Sequence, residues 1–484
     1  MFRFGGRAAI YPTIADVKVC VPGWSSKRGF EGIVWLAAIA VALALLHLAS
    51  IVGLHVYRGY NEGWNAYHAF ALMSGGNLYP PASSFMVNNY PPLSFVLMAA
   101  MGKAGADLIV AGRVVSLLST LVAGWAVFAI ARLMAATKTE ALFAASLFLA
   151  KLLATSTYVG IDDPQMLGHA LGCLGFLAAI EPNRRLWLSA LLLTLAVFVK
   201  HMLVIQPLAL FCWFLWYDRK SALRFAVFGF LFGVLGLFLC RIRFGVNLFE
   251  MLFTPRTYQL SWLAQSLQDF LLVSFAPLGA GIYLLFRSKD SYAVLCGLYT
   301  VMAFVIGLLF DGGAGVGRNA LFDAAIGGAL SAALLVRQMR VPAMAFLFGL
   351  ACLVPPAVAA LQKAQNDWLT TGFWLQPLKQ EAAQSRDDIA FVRNRPGPAM
   401  CERLTICYWA GKPAEVDAFN FVQAVETHTR REHDLTARLD ARYFSTVEMT
   451  DEPRLGELHD VMAAILRNYR VVRRSNDGAM LIPR

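Results

Sequence analysis

The stretch Tyr60-Asn61-Glu62-Gly63-Trp64-Asn65-Ala66-Tyr67 directly follows the first long apolar run and places a carboxylate at the edge of a predicted membrane helix. It opens a segment rich in proline and aromatic residues that continues to Asn89-Tyr90-Pro91-Pro92-Leu93. An ionisable group at a membrane edge is costly unless it is paired or used. Glu62 is therefore the first catalytic candidate. The alternative is a helix cap or a loop acid paired with Arg58.

The composition indicates a polytopic membrane protein. Of the 484 residues, 58% are hydrophobic and only 15% are charged, with a mean hydropathy of +0.56, whereas a soluble domain carries about 25% charged residues. The net charge of +11 comes from basic residues scattered between apolar runs. This pattern is typical of topology signals and lipid-phosphate contacts. We therefore expect membrane lipids, and no nucleic acid, as partners.

About eleven apolar runs approach the length of roughly 20 residues that a transmembrane helix needs. They lie near residues 33–56, 109–135, 140–159, 164–180, 186–201, 203–217, 222–241, 270–286, 291–310, 319–336 and 342–361. The sequence thus predicts an N-terminal segment (1–32), a transmembrane module (33–361) and a polar C-terminal segment (362–484). The transmembrane module carries the long loop 57–108.

Basic residues predict the orientation of these spans. Arg3, Arg7, Lys18, Lys27 and Arg28 precede the first run and mark the N-terminus as cytoplasmic. Every second connection also holds at least two basic residues, namely Arg132 and Lys138, Arg184 and Arg185, Arg219, Lys220 and Arg224, Arg287 and Lys289, and Arg337 and Arg340. By the positive-inside rule these connections face the cytoplasm. The loop 57–108 and the C-terminal segment then lie on the outer face.

The C-terminal segment has the mixed, dense charge of a small α/β domain. Strands are predicted at Leu404–Trp409, Tyr443–Val447, Tyr469–Val472 and Met480–Ile482, and a helix at Val416–Arg431. Cys401 and Cys407 are six residues apart. In an oxidising compartment they form either a disulfide or two unpaired thiols. The cysteine spacing predicts no structural zinc.

Further candidates cluster at the predicted outer face. Asp162 and Asp163 precede Pro164-Gln165 in a very short connection. One of them caps the next helix in the alternative interpretation, because Asp and Pro are favoured at helix N-termini. Both roles are compatible, since a cap at the mouth of a cavity is also positioned for chemistry.

Two basic groups run against the positive-inside trend. Lys200-His201 lies between two short apolar runs, and Arg318 ends the stretch Asp311-Gly-Gly-Ala-Gly-Val-Gly317-Arg318-Asn319. Both are candidates for binding a lipid phosphate. The alternatives are snorkelling side chains and, around Arg318, a flexible turn. The glycines do not follow a strand, so a nucleotide-binding loop is not expected.

In its motifs the chain resembles the GT-C superfamily of membrane glycosyltransferases, in particular bacterial members of glycosyltransferase family 39, the protein O-mannosyltransferase and aminoarabinose-transferase group. The motifs are Asn61-Glu62-Gly63, Tyr90-Pro-Pro-Leu93, Gly112-Arg113-Val-Val-Ser116, Asp162-Asp-Pro-Gln165, Val199-Lys-His201 and Gly317-Arg-Asn-Ala-Leu-Phe-Asp323, followed by Glu402, Gly411-Lys412-Pro413 and Asp417-Ala-Phe419. Many relatives carry two acids where this chain has Asn61-Glu62, and often Glu near the position of Asp323.

The resemblance implies inverting transfer of a sugar from a polyprenyl-phosphate donor to a glycan, lipid or protein acceptor, in the bacterial cytoplasmic membrane at its outer face. Implied roles are a general base at Glu62 and a second acid at Asp162 or Asp163. The remaining implied roles are donor-phosphate binding by Arg113, Lys200, His201 and Arg318, and substrate contacts from Asn61, Tyr90, Asn319 and Asp323.

No cofactor is required by this scheme, although Mg2+ or Mn2+ held by Glu62 and Asp162 is compatible with acids beside a phosphate. Two other function classes stay open. A transporter or flippase would show repeated half-helices with acids near the membrane midplane, and a GT-C-like scaffold would have lost activity.

Overall fold

The computed structural model describes residues 26–81, 83–155, 158–364, 376–475 and 478–484. Most of the predicted N-terminal segment, with Arg3, Arg7 and Lys18, lies outside these ranges. The described chain is a bundle of long helices, a pair of short helices on one end of the bundle, and a mixed α/β region that covers this pair.

Eleven of the described helices form the bundle, one for each apolar run of the sequence. They are α1 (Ser26–Ser50), α4 (Leu108–Leu133), α5 (Lys138–Thr155), α6 (Gln165–Ile180), α7 (Leu186–Val199), α8 (Ile205–Tyr217), α9 (Arg219–Phe244), α11 (Leu260–Arg287), α12 (Ser291–Asp311), α13 (Phe322–Gln338) and α14 (Pro342–Ala364). The predicted polytopic helical fold is confirmed.

The lengths of the helices and the apolar surface of the bundle both fit a membrane protein. Within the described residues, seven helices are long and apolar enough to cross one, and α6, α7 and α8 are shorter apolar helices. The surface of α9 is apolar, with Phe230 70% exposed. An exposed apolar face of this length is stable in lipid and unfavourable in water. The chain is therefore a multi-pass membrane protein, and the number of spans stays a prediction.

The two ends of the bundle carry different connections. At one end, the far end, Arg337 donates to the Met134 carbonyl and Arg184 pairs with Asp218 at 2.7 Å. At the other end, the site end, Arg58 donates to the Gly160 carbonyl and Lys200 lies 3.5 Å from Asp163. The connections that hold Arg132, Arg184 and Arg337 are at the far end, whereas α9 ends at the site end with Arg241 and Arg243 in its last turn.

The predicted loop 57–108 contains two helices, α2 (Tyr60–Met73) and α3 (Leu93–Lys103), which pack on each other at the site end. Much of α2 is buried, and Trp64 packs edge-on against Tyr90 at 4.9 Å. The aromatic side chains of this segment lie in a second core, which they share with residues of the C-terminal region such as Leu404 and Trp409. The short helix α10 (Asn247–Leu252) lies in the same layer and contributes Leu248 and Met251 to that core.

The C-terminal region contains a sheet with helices around it. Its described elements are α15 (Gln376–Arg393), β1 (Ala399–Cys401), α16 (Leu404–Trp409), α17 (Ala418–Glu426), α18 (His433–Asp440), β2 (Thr446–Thr450), α19 (His459–Asn468), β3 (Tyr469–Ser475) and β4 (Gly478–Pro483). The strand order is β1-β2-β4-β3, with β1 parallel to β2 and the other pairs antiparallel.

One strand prediction in this region is wrong. Leu404–Trp409 is the helix α16, although its composition of Thr, Ile, Tyr and Trp favours a strand. Cys401 and Cys407 are joined by a disulfide that connects β1 to α16. The helix rests on α2 at Gly63, where an added Cβ would lie 2.4 Å from the Thr405 backbone nitrogen. Only glycine permits this approach.

Candidate functional site

A small cavity opens at the site end between α2, α3, α4 and the α5–α6 connection. Its lining residues are Asn65, Ser94, Phe95, Met98, Gly112, Val115, Asp162, Asp163, Pro164 and Leu167. Both predicted acids of the α5–α6 connection therefore face one cavity, and apolar side chains form much of the remaining wall.

Glu62 forms a fully buried ion pair with Arg113 and not with Arg58. Arg113 Nε and Nη2 donate to the two Glu62 oxygens at 2.6 and 2.8 Å, and neither side chain has exposed surface. The other Arg113 donors reach the carbonyls of Val52, Leu54 and Val56. All five N–H groups of a guanidinium are thereby used. This arrangement fixes the chain between α1 and α2 against α4.

The motif Gly112-Arg113-Val-Val-Ser116 explains how α4 holds the Asp162 loop. An added Cβ at Gly112 would lie 2.0 Å from Asp162 Oδ1, so only glycine leaves room for this carboxyl group. Ser116 donates to the Tyr158 carbonyl and accepts from the Gly160 amide. The motif positions a carboxyl group at the cavity wall.

Asp162 is buried, and its Oδ2 accepts no hydrogen bond from the part of the chain that the structure describes. Burial, and then the charges of Glu62 and Asp163, raise the pKa of Asp162 well above the usual range, against the opposing charge of Arg113. A buried carboxyl group with an unsatisfied oxygen is a candidate for proton transfer.

Asp163 contacts two other predicted site residues. Its Oδ2 accepts from Asn61 Nδ2 at 2.8 Å, and Lys200 Nζ lies 3.5 Å from its Oδ1. Lys200 is 3% exposed and sits over the rings of Tyr90 and Tyr158, at 4.7 and 5.5 Å. Asp163 also accepts from the amide of Gln165, the first residue of α6, at 2.8 Å, which fixes its position. The ion pair and the aromatic faces hold one ammonium group beside the cavity.

Asn319 and Asp323 lie deeper in the bundle. Asn319 donates to Gln165 Oε1 at 2.8 Å. Asp323 accepts from Tyr299 at 2.6 Å and from Gln206 at 3.1 Å, with His169 Nδ1 3.7 Å away. Through Gln165, which also contacts His169, these groups form a buried polar network beneath Asp163.

Two predicted phosphate-binding residues lie outside this cluster. Arg318 is half exposed and forms an ion pair with Asp269, and His201 is exposed. Arg113 is in the site, but its donors are used as described above. Of the four predicted cations, Lys200 is the one that the structure brings beside Asp163 and Tyr90.

The sequence reasoning missed Arg256, in the connection between α10 and α11. Its guanidinium lies 5.2 Å from the Phe419 ring centroid, and its Nη1 has no hydrogen-bond partner among the described residues. The adjacent Thr257 donates to Gln423 Oε1. The signal that could have identified Arg256 is a basic residue in a connection predicted to lie outside, against the positive-inside trend. The same departure from the trend pointed to Lys200.

The C-terminal region closes over this side of the site. Asp417 is buried, caps α17 through the Asn420 amide and accepts from Tyr60, which directly precedes Asn61. Burial raises the pKa of Asp417, and its hydrogen bonds to Asn420 and Tyr60 oppose this effect. The motif Asp417-Ala-Phe419 thereby links the C-terminal region both to α2 and to Arg256.

The acids present are a poor set of metal ligands. Among the described residues, no group of three or more His, Cys, Asp and Glu side chains is arranged to hold a metal ion. Both Glu62 oxygens accept from Arg113, so Glu62 has no oxygen left to bind a metal beside Asp162. The predicted use of Mg2+ or Mn2+ stays a prediction, and no step below depends on it.

Comparisons with known proteins place the fold. Residues 89–242 match the dolichyl-phosphate-mannose-protein mannosyltransferase family model, and no curated protein matches. The crystal structure of ArnT from Cupriavidus metallidurans in the apo state aligns with a TM-score of 0.60 and 14% identity, over 93% of this chain and 97% of that chain. The same protein bound to undecaprenyl phosphate aligns with a TM-score of 0.58 and 14% identity, over 93% and 98%.

These likenesses define the class. The chain has the GT-C fold, and the resemblance inferred from the motifs is confirmed at the level of fold, together with a family match over about a third of the chain. ArnT is a solved structure to which the chain is similar over nearly its whole length.

Proposed function

We propose that this protein transfers a sugar from a polyprenyl-phosphate-linked donor to an acceptor hydroxyl or amine. The observation that carries the proposal is the cavity in which a buried, unsatisfied Asp162 lies next to the paired Asp163 and Lys200. The match to a mannosyltransferase family and the likeness to ArnT, which has been crystallised with undecaprenyl phosphate, support the donor class.

In the proposed reaction, the acceptor oxygen or nitrogen attacks the anomeric carbon, and the bond from that carbon to the phosphate oxygen breaks. The proton of the acceptor passes to a carboxylate, and the polyprenyl phosphate leaves with the bonding electrons. Attack opposite the leaving group inverts the anomeric centre. The chain has to supply a base on one side and positive charge on the other.

Asp162 is the base that the geometry favours. The sequence had suggested Glu62, but both oxygens of Glu62 are held by Arg113. Asp162 lines the cavity, its buried Oδ2 accepts no hydrogen bond from the described residues, and its raised pKa makes it a stronger base than an exposed aspartate. The Glu62–Arg113 pair then has an indirect role, in which its fixed charges and its position influence Asp162.

Lys200 is the proposed cation for the leaving phosphate, with Arg256 as a second. The Asp163 carboxylate and the Tyr90 ring hold the ammonium group in place. Arg256 contributes a guanidinium with an unused N–H group on the side covered by the C-terminal region. A negative leaving group gains most from donors that are already oriented before it develops charge.

The orientation follows from charge. Most of the paired basic residues lie in the far-end connections, with Arg241 and Arg243 at the end of α9 as the exception, so the positive-inside rule favours the far end in the cytoplasm and the site end at the outer face. In a bacterial cytoplasmic membrane the acceptor would then be a periplasmic or extracellular glycan, lipid or protein.

A binding experiment tests the donor class. The full-length protein in nanodiscs is titrated with undecaprenyl phosphate and followed by native mass spectrometry. We expect Lys200→Ala to weaken binding about tenfold or more, because a charge-assisted contact contributes about 1.5–3 kcal/mol. Lys220→Ala, at the exposed start of α9 at the far end, is the matched control and should bind as wild type does.

Equal binding by the wild type and both variants would contradict the assignment of Lys200. Turnover is then measured as free undecaprenyl phosphate released from undecaprenyl-phosphate-linked hexoses and pentoses in the presence of a bacterial envelope extract. Movement of the intact donor across a liposome without release would favour a transporter. Binding without either outcome would favour an inactive scaffold.

A further inference from the structure

The indole of Trp409 connects the C-terminal region to the segments that hold the site. Trp409 is the last residue of α16 and is buried. Its Nε1 donates to Asp107 Oδ2 at 3.1 Å, and its ring stacks on the His55 ring at 4.5 Å. The ring centroid also lies 6.0 Å from the guanidinium carbon of Arg113. One side chain of the C-terminal region therefore contacts both the α1–α2 connection and α4.

The hydrogen bond to Asp107 acts at the first turn of α4. Asp107 caps this helix, since its Oδ1 accepts from the Val110 amide at 3.0 Å. Gly112, which leaves room for the Asp162 carboxyl group, follows five residues later (112 minus 107). At about 1.5 Å per residue this separation is roughly 7–8 Å along the helix axis. The contact from Trp409 therefore fixes the end of α4 that forms the cavity wall.

Trp409 is itself held in place by the C-terminal region. A helix of six residues such as α16 is not stable by itself. Cys407, two residues before Trp409, forms the disulfide with Cys401 of β1, and Arg393 donates to the Trp409 carbonyl at 2.7 Å. The other end of α16 rests on Gly63 of α2. The indole is thus fixed relative to both α2 and α4.

The charge of Asp107 also reaches Asp162. Burial is the largest cause of the raised pKa of Asp162, followed by the charges of Glu62 and Asp163, and Asp107 adds a smaller contribution of the same sign. The charged and titratable groups around Asp162 come from four parts of the chain. They are Glu62 of α2, Arg113 and Asp107 of α4, the adjacent Asp163 with its partner Lys200, and Tyr408 of α16.

We propose that Trp409 and Asp107 are positioning residues for the reaction at Asp162. Trp409 fixes the Asp107 carboxylate and the start of α4, and α4 in turn fixes the position and the electrostatic surroundings of Asp162. The identification of Asp162 as the reacting group rests on the proposed function. The C-terminal region thereby takes part in setting the geometry of the chemical step, in addition to covering the site.

Trp409→Phe tests the proposal in the full-length protein in nanodiscs, with undecaprenyl-phosphate-linked hexoses and pentoses as donors. The substitution keeps an aromatic ring against His55 and removes the N–H group that Asp107 accepts. A displacement of reacting groups by about 1 Å can cost about 100-fold in rate. We expect kcat for release of undecaprenyl phosphate to fall about tenfold or more. KM for the donor should not change, because Lys200 lies outside the altered contacts.

Trp213→Phe is the matched control at the far end. Trp213 is also buried, and its Nε1 donates to the Ser291 carbonyl at 2.9 Å. The same substitution therefore removes one indole hydrogen bond far from the site, and kcat should stay at the wild-type value. Equal kcat values for Trp409→Phe and Trp213→Phe would overturn the proposal.

Asp107→Asn gives a measurement that a purely structural contact would not change. The asparagine oxygen keeps the cap to Val110, whereas Trp409 loses its acceptor and the negative charge is removed. We expect kcat to fall as in Trp409→Phe, and the acid limb of turnover to move to lower pH because a charge that raises the pKa of Asp162 is lost. Combining the two substitutions should cost no more than either alone, since both remove the same hydrogen bond. An unmoved acid limb, or additive losses, would contradict the proposal.

Hydrogen exchange separates this result from the proposed function. Exchange of the amides of residues 110–113, followed by mass spectrometry, should be faster in Trp409→Phe than in the wild type and unchanged in Trp213→Phe. Unchanged exchange in Trp409→Phe would overturn the positioning role even if kcat falls. Faster exchange in a protein whose wild type releases no undecaprenyl phosphate would retain the contact with α4, and would remove both the proposed function and the role of Trp409 in it.

Discussion

Two buried charge clusters lie at the site, and they differ in how fully their polar groups are satisfied. In the Glu62–Arg113 pair, both carboxylate oxygens and all five guanidinium N–H groups have partners. In the Asp162–Asp163–Lys200 cluster, Asp162 Oδ2 has none among the described residues, and the Lys200 to Asp163 distance is 3.5 Å. A saturated buried pair has no capacity left for a substrate, whereas an incompletely satisfied one does. We therefore assign a structural role to the Glu62–Arg113 pair and a role in the proposed reaction to the Asp162–Asp163–Lys200 cluster.

The largest expected effect comes from breaking the saturated pair. Arg113→Leu leaves the Glu62 carboxylate and three carbonyls without their donor, and loss of one partner of a buried pair costs about 3–5 kcal/mol. We expect a large drop in the thermal unfolding temperature and poor recovery from membranes. Arg318→Leu is the control, because its ion pair with Asp269 is half exposed and such pairs contribute about 0–1 kcal/mol. Equal stability of the two variants would refute the architectural role.

The Glu62–Arg113 pair also shows which contacts could not be predicted from the sequence. Glu62 and Arg113 are 51 residues apart, and a local interpretation pairs Glu62 with Arg58 because Arg58 is close along the chain. The eleven bundle helices were predictable since each run of apolar residues has to satisfy its backbone internally in a membrane. The identity of a buried partner depends on helix packing, which hydropathy does not specify.

The helix α16 and Arg256 mark two further limits. The strand-like composition of Leu404–Trp409 is overridden by its disulfide to β1 and by its contact with α2 at Gly63. Arg256 becomes a candidate only when the C-terminal region is placed over it, since Phe419 is 163 residues away in sequence (419 minus 256). Both facts arise from tertiary contacts between distant segments.

The second-largest expected effect, that of Asp162→Asn, separates a loss of activity from a loss of stability. Asp162→Asn removes the proposed base, and general-base catalysis contributes about 10²–10⁴-fold. We expect release of undecaprenyl phosphate to fall by about that factor, while the protein stays folded, because the amide is neutral and isosteric. Turnover and thermal unfolding are measured on the same nanodisc sample. Wild-type turnover in Asp162→Asn would remove Asp162 as the base and return attention to Glu62.

The smallest effect tests the electrostatics of the second cluster through pH. Because the folded-state pKa of Asp162 is raised, the protonated form is favoured by folding. The stabilisation that this gives is complete below the unfolded pKa and is lost as the pH rises through the folded pKa. Asp162→Asn should therefore reduce the decline of the unfolding temperature over that range. Turnover should show the opposite trend, because the base acts when it is deprotonated. The acid limb of the pH profile of turnover should therefore lie above the usual pKa of aspartate, near 3.9.

Asn61→Asp would place a third carboxylate beside Asp163, which now accepts from Asn61 at 2.8 Å. Like charges close together disfavour the ionised state. We expect this variant to move the acid limb further toward high pH, with a modest loss of turnover at neutral pH. An acid limb at the position of an exposed aspartate, unchanged by Asn61→Asp, would mean that the second cluster is not the base.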